Sequence, residues 1–324
     1  MHIQMIIRPD RMGANFTWYI MQMIYAHFHN YYIVCDGLKY EDSAFVQSVK
    51  RWIEQYNFKF EQEYGKYIVE ENQLKRWIED SHQDWPGNNM IVCKAIGCDL
   101  ITYFKRHLYP EFRPIMEQTI QEIGYPVLEN AENTICIHLR LDDVTHRFDY
   151  DGSICSAYYA DKLNRGSISI NINEEIIWGR NHGVCIEGDT RHYSAYDCQA
   201  PISKEKLRPI IEEVRKKYPD HRILVVSSPN STAYMIDMLS TTEEDMNIDN
   251  PSNIEYTTLS SDDPSVDLWT LCQADVLICS RSLFCLSAVY CGKAKEVYLP
   301  MWGHIAGTGL TSNYDNNTNF HYFY

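Results

Sequence analysis

Val276-Leu277-Ile278-Cys279-Ser280-Arg281-Ser282-Leu283-Phe284-Cys285 reads as a short buried strand, a turn carrying two hydroxyls, and the opening of a helix. The residues before it, Asp267 to Asp275, have the pattern of a helix feeding that strand. Working outward, the same alternation recurs from Pro201 onward. Leu207, Ile210, Ile211, Val214 and Tyr218 mark one face of a helix, and Pro209 either sets its start near Arg208 or kinks it there. Arg222 to Ser227 is a buried strand, a helix begins near Ser231, and a strand follows around Ile254 to Thr257. Helices at about Val266 to Cys272 and Leu283 to Tyr290 then alternate with strands Val276 to Cys279 and Glu296 to Leu299. Strands alternating with helices predict a parallel sheet of the nucleotide-binding kind, with its ligand at the carboxyl ends of the strands.

The first half opens in a similar way. Ile3 to Ile7 is a strand, Arg8 to Asn15 a loop containing Gly13, and the large apolar residues up to about His29 a helix; Tyr31 to Cys35 returns as a second strand. Residues 41–124 read as mainly helical, interrupted at Pro86-Gly87. A new strand, Thr134 to Leu139, follows the polar stretch Glu129 to Asn133, so a boundary is expected near residue 130. The expected division is 1–130 as an N-terminal acceptor-side lobe and 131–324 as a C-terminal nucleotide-binding lobe, with a tail able to pack back on the first. Residues 142–199 are loop-rich, a length usually tied to function.

The chain has 324 residues and a formal net charge of −15, which argues against general affinity for nucleic acid or anionic membrane, since both reward clustered Lys and Arg. Its longest apolar runs fall far short of the roughly 20 residues a membrane span needs. The start lacks the basic and apolar regions of a signal peptide. Eleven cysteines, with no C-x-x-C pair, fit buried free thiols in a reducing compartment. The expectation is a soluble cytoplasmic protein of bacterial or viral type, without an integral membrane segment.

Ile137-His138-Leu139-Arg140-Leu141-Asp142-Asp143 lies where a strand runs out into a loop. Arg140 there can offer a planar cationic fork to a diphosphate, and His138 a donor to a base or sugar oxygen; a salt bridge from Arg140 to a neighbouring Asp is the plainer alternative. Ser280, Ser282 and the amides of the following helix would form an anion site. Ser282 as an ordinary N-cap is compatible with that role. Asp267 can accept from the two adjacent donors on the Watson–Crick edge of guanine, or can simply be a carboxylate near a helix N-terminus.

His138-Leu139-Arg140 with Asp143 resembles the H-x-R-R-x-D signature of the fucosyltransferase superfamily that includes the α1,2-, α1,6- and protein O-fucosyltransferases. Asp267 to Tyr290 looks like that superfamily's later donor-binding motif, Arg11 to Phe16 like its N-terminal Gly-Asn loop, and Ser227-Ser228-Pro229 like its Ser/Thr-Asp-Asp turn. The resemblance implies an α/β, GT-B-like fold of two Rossmann-like lobes facing a cleft. Arg140 would hold the donor phosphates, His138 and Asp267 would contact guanosine, and Ser280 and Ser282 would bind phosphate; Gly13, Asn15 and Ser227 complete the expected donor set. Leu141 departs from the pattern, where the family has a second Arg.

The implied reaction is inverting transfer of a sugar, L-fucose from GDP-fucose, to a glycan hydroxyl. Transfer from GDP-rhamnose or UDP-xylose, or an inactive nucleotide- or carbohydrate-binding relative, are the alternatives. No cofactor is expected beyond the GDP-sugar itself, and the partners are that nucleotide sugar and a glycan acceptor. No metal is expected either: Asp262-Asp263 are adjacent rather than alternating, and Pro264 makes them a turn before a helix. Fixed cations and dipoles would then stabilise the leaving diphosphate, with Arg140 and the Ser282 helix end in that role. Inversion also needs a base near the acceptor hydroxyl. Asp10, in the first loop, leads, followed by Asp143, His146 and Glu187.

Overall fold

The computed structural model describes residues 2–5, 7, 11–66, 74–76, 98–140, 202, 204–227, 256–259, 261–300, 313–315 and 318–323. The fold is mixed α/β, built on two sheets. The smaller has the order β2-β1-β3, with β1 (His2–Gln4) flanked in parallel by β2 (Tyr32–Val34) and β3 (Leu74–Arg76). The larger runs β6-β5-β4-β7-β8-β10-β9. Its strands are β4 (Thr134–His138), β5 (Arg222–Val226), β6 (Tyr256–Leu259), β7 (Val276–Ile278), β8 (Glu296–Pro300), β9 (Asn313–Asp315) and β10 (Thr318–Phe323). Every neighbouring pair is parallel except β9 with β10, so six parallel strands carry one antiparallel edge.

That order decides where a ligand can sit. The chain lays β4, then β5 and β6 to one side, and crosses back to place β7 and β8 on the other. In parallel sheets such a reversal is where ligands bind, at the carboxyl ends of the strands, here β4 and β7.

Strands buried on both faces must be apolar throughout, and β4 and β7 are buried at every position. Alternation sorts their side chains between two cores. Ile135, Ile137, Ile223 and Val225 meet Leu207, Ile211 and Val214 of helix α5 (Lys204–Lys217). Cys136, Leu224, Leu277 and Val297 face the opposite way, against α6 (Pro264–Gln273) and α7 (Leu283–Cys291). Each fully buried aliphatic side chain contributes about 1.5–3 kcal/mol.

The second core continues past α7 into the N-terminal residues. Helix α1 (Met12–His29) is apolar on nearly every face and buried from Met12 to Ala26, as a helix enclosed on all sides must be. One side packs on α7 and the other on α2 (Ala44–Tyr64), where Phe16 meets Phe45 edge-to-face at 5.3 Å. Beyond α3 (Cys98–Tyr103) and a single π-helical turn (Phe104–Leu108), α4 (Tyr109–Ile123) lies along α2. One buried cluster therefore holds residues from both sides of position 130.

Several elements differ from the sequence reading. Helix α1 starts at Met12, so Gly13 and Asn15 sit in its first turn rather than in an open loop. The large apolar residues that follow drive this helix inward from its first turn. Within the stretch read as helical, Leu74–Arg76 forms an edge strand; three residues are too few to leave a periodic signal. Helix α5 begins at Lys204 and carries Pro209 inside it, in its second turn. Strand β6 lies at Tyr256–Leu259, two residues beyond the expected position, and β9 and β10 were not foreseen. β10 pairs in parallel with β8, extending the larger sheet. Pro86-Gly87 and the helix expected near Ser231 lie outside the described residues. No helix among the described residues is long and apolar enough to cross a membrane.

Candidate functional site

The carboxyl end of β4 delivers His138, and the Leu139 amide extends the ladder by donating to Val226 O at 3.0 Å. Arg140 follows immediately and is partly exposed. Across the crevice β7 ends at Ile278, and Cys279 to Ser282 form the turn into α7.

The two strand ends are joined by side chains. His138 Nδ1 lies 2.6 Å from Ser280 Oγ, both groups are buried, and the imidazole ring sits 5.5 Å from the Phe284 ring. Ser282 is the N-cap of α7: its Oγ accepts from the Phe284 amide at 3.2 Å, with extended backbone at φ −145° and ψ 132°. A serine hydroxyl that accepts in this way still carries a proton to donate. The cap also leaves the first-turn amides of α7 aimed outward, where the helix dipole adds partial positive charge.

Ser227, at the end of β5, is committed differently. Its Oγ donates to Leu139 O at 2.8 Å, which ties the ends of β4 and β5 together. Asp267 lies in the first turn of α6, and its Oδ1 accepts from the Ser261 amide at 3.0 Å. Burial pushes its carboxyl up to about 6, opposed by the Ser261 amide and the His138 charge and reinforced by Asp263. Asp263 is the N-cap of α6, accepting from the Ser265 amide at 2.8 Å, as the turn reading of Asp262-Asp263 anticipates. Among the described residues there is no cluster of three or more His, Cys, Asp or Glu suited to a metal ion.

Gly13 and Asn15 both lie in the first turn of α1, and Gly13 meets the first turn of α7. Gly13 is pressed against the α7 backbone: a Cβ there would fall 2.5 Å from Phe284 Cα. Asn15 is fully buried, its Nδ2 donating to Arg11 O at 3.2 Å. Asp10 and Asp143, with His146, Glu187 and Leu141, lie outside the described residues.

Two groups at the crevice had no role in the sequence reading. Arg281, between the two serines, is only 4% exposed, so a guanidinium lies almost wholly inside the turn. A lone charge within the apolar run from Val276 to Cys285 is the signal that could have singled it out. Cys285, in the first turn of α7, is fully buried. Burial pushes its thiol up, but the Cys279 thiol, the His138 imidazole and the Ser280 amide outweigh that and hold it below the usual thiol range. Its neighbours in the core show burial alone: the Cys136 and Cys291 thiols are both pushed up to about 12.

Compared with protein-family models and with curated protein sequences, the chain matches none. Among solved structures it is similar to POFUT1 in complex with GDP, at 13% identity and a TM-score of 0.32, over 99% of this chain and 74% of that one. It is similar also to POFUT1 in complex with GDP-fucose, at 14% identity and a TM-score of 0.29, over 89% and 66%. Likeness at that level carries no functional weight, so the site's own geometry has to.

Proposed function

We propose that this chain is an inverting, metal-independent glycosyltransferase that takes a GDP-sugar, GDP-fucose first, and transfers the sugar to a glycan hydroxyl. The observation that carries this reading is topological. His138 ends β4 and Arg140 lies just beyond it, Ser280 to Ser282 follow β7, and those are the two strands between which the sheet order reverses. A crevice there, floored by a capped helix N-terminus and flanked by a guanidinium, suits a nucleoside diphosphate.

In this mechanism Arg140 and the first-turn amides of α7, joined by the Ser282 hydroxyl, take up the charge that develops on the departing GDP. Fixed dipoles and cations do so without reorganising, which is worth most where water is excluded. His138, held by Ser280, would contact the guanosine moiety, and the Asp267 carboxylate would accept from the guanine ring. Residues 1–130 form the acceptor-side lobe and 131–324 the donor lobe. Asp10 or Asp143 would receive the acceptor proton.

The test is thermal unfolding with GDP, UDP and ADP, each with and without EDTA, since a ligand that binds only the native state raises its melting temperature. GDP should stabilise selectively, EDTA should leave the shift unchanged, and Arg140→Ala should abolish it while the unliganded protein melts normally. Equal stabilisation by all three nucleotides removes the guanine assignment. A GDP response that survives Arg140→Ala removes Arg140 from the site.

A further inference from the structure

Helix α7 presents the crevice with its amino end, yet its sequence, Leu-Phe-Cys-Leu-Ser-Ala-Val-Tyr-Cys, is apolar almost all round. Apolar packing is non-directional, so hydrogen bonds are what add directional control over the position of such a helix along its axis and its rotation about it. The amides at its amino end bind an anion well only when they point at it within a few tenths of an ångström. Directional contacts add that control, and at the amino end of α7 they include contacts from α1.

Thr17 and Ser287 are both fully buried, with hydroxyl oxygens 2.9 Å apart. Around them lie two carbonyls, Gly13 O of α1 and Leu283 O of α7. Thr17 Oγ is 2.8 Å from Gly13 O and 3.1 Å from Leu283 O; Ser287 Oγ is 2.8 Å from Leu283 O and 3.2 Å from Gly13 O. Two hydroxyl protons are shared among these five contacts, three of which run between the two helices. Leu283 directly follows the Ser282 cap. Gly13 completes the clamp, because with any side chain at that position α1 could not approach the Phe284 backbone. At the far end of α7, Lys105 Nζ donates to Gly292 O at 2.6 Å and Tyr109 Oη to the same oxygen at 3.0 Å. Both ends of the helix are gripped by residues of the N-terminal half.

We infer that the Thr17–Ser287 hydroxyl pair, seated by Gly13, sets the register of α7 and thereby the anion affinity of its amino end. These are positioning residues, acting through the helix rather than on the ligand. The inference rests on the nucleotide reading above, and it makes α1 a part of the donor site.

Titration calorimetry with GDP on the wild-type chain, Thr17→Val, Thr17→Ser and Ser287→Ala, with melting curves of each unliganded protein, tests it. Thr17→Val keeps the branched shape and loses the hydroxyl, and its GDP Kd should rise about tenfold, as expected when a well-placed hydrogen bond is lost. Thr17→Ser restores the hydroxyl and should return the Kd to within about twofold of wild type. Ser287→Ala, the smaller change, should weaken GDP in the same direction and serves if Thr17→Val does not fold. Variants that melt lower yet bind GDP as the wild type does reduce the pair to ordinary core contacts and overturn the inference alone. A wild-type chain that binds no GDP overturns the nucleotide reading and the clamp with it.

Discussion

Replacing Gly13 with alanine sets two effects against each other. In an open helical position the change is favourable by about 0.4–1 kcal/mol, because alanine restricts the unfolded chain and favours helix. Here the new Cβ would stand 2.5 Å from Phe284 Cα, 2.7 Å from its Cβ and 2.8 Å from its amide nitrogen. Two of these atoms are backbone and alanine retains all three, so no rotamer change relieves the overlap. Helices α1 and α7 must move apart, and forcing a methyl group into a close-packed core costs about 1–3 kcal/mol. Overpacking wins, and the melting temperature should fall by roughly 2–6 °C, taking about 2 °C per kcal/mol for a chain of this size. Phe284→Ala should not rescue it, because the clash is with atoms that substitution leaves in place. Gly124 is the control: a Cβ there meets nothing within 4 Å, but φ is +86°. Its alanine variant should suffer from backbone strain, which asparagine relieves, whereas asparagine at Gly13 should be worse than alanine. Thermal and urea unfolding of the four single variants measure this, and a Gly13→Ala protein as stable as the wild type would refute the close approach of α1 to α7.

The Asp267 carboxyl, raised to about 6 by burial, holds its proton in the folded chain at pH values where the unfolded chain has released it. Its contribution to stability is therefore full below about 4 and lost as pH rises through about 6, and Asp267→Asn should flatten that decline in melting temperature. If the charged carboxylate receives guanine, GDP affinity should rise over the same interval in the wild type only, as calorimetry across pH would show. Glu296 behaves in the opposite sense: burial opposes its charge, but Lys217, Tyr218 and His321 outweigh it and lower its pKa. Its stabilisation is present above the ordinary carboxyl range and lost on acidification, so Glu296→Gln should weaken the protein at neutral pH and shrink the drop seen on acid titration. Lys105, buried with its ammonium on Gly292 O and 4.1 Å from the Tyr109 ring centroid, should cost about 1.5–3 kcal/mol when changed to Met, read as a lower urea midpoint.

The central strands of the larger sheet were legible because they are buried on both faces. Ile135 to Ile137, Ile223 to Val226 and Val276 to Ile278 must each be continuously apolar, and such runs stand out between polar turns. The start of α7 was legible for a similar reason, since a serine before an apolar run is a capping signal whatever the tertiary context. The start of α1 was not. Arg11 offers no side-chain cap, and Gly13 just inside the helix imitates a loop residue. Its reason for being glycine is the backbone of Phe284, more than 250 positions away, and single-sequence patterns hold no trace of such a contact.

The partners of the site serines were illegible for the same reason. Ser280, Ser282 and Ser227 look equivalent in sequence, each a small hydroxyl after an apolar strand, but their protons face different acceptors. Ser227 gives its proton to Leu139 O, Ser280 shares one with His138, and Ser282 receives from the helix it caps. Of the three, Ser282 alone has its hydroxyl proton left over by these hydrogen bonds, and it stands at the positive end of the helix dipole. An incoming phosphate oxygen needs a donor, so Ser282→Ala should cost more GDP affinity than Ser227→Ala, whose effect should appear as lower stability instead. The reverse ranking in calorimetry and melting curves would mean that the diphosphate lies over β5 and not at the head of α7.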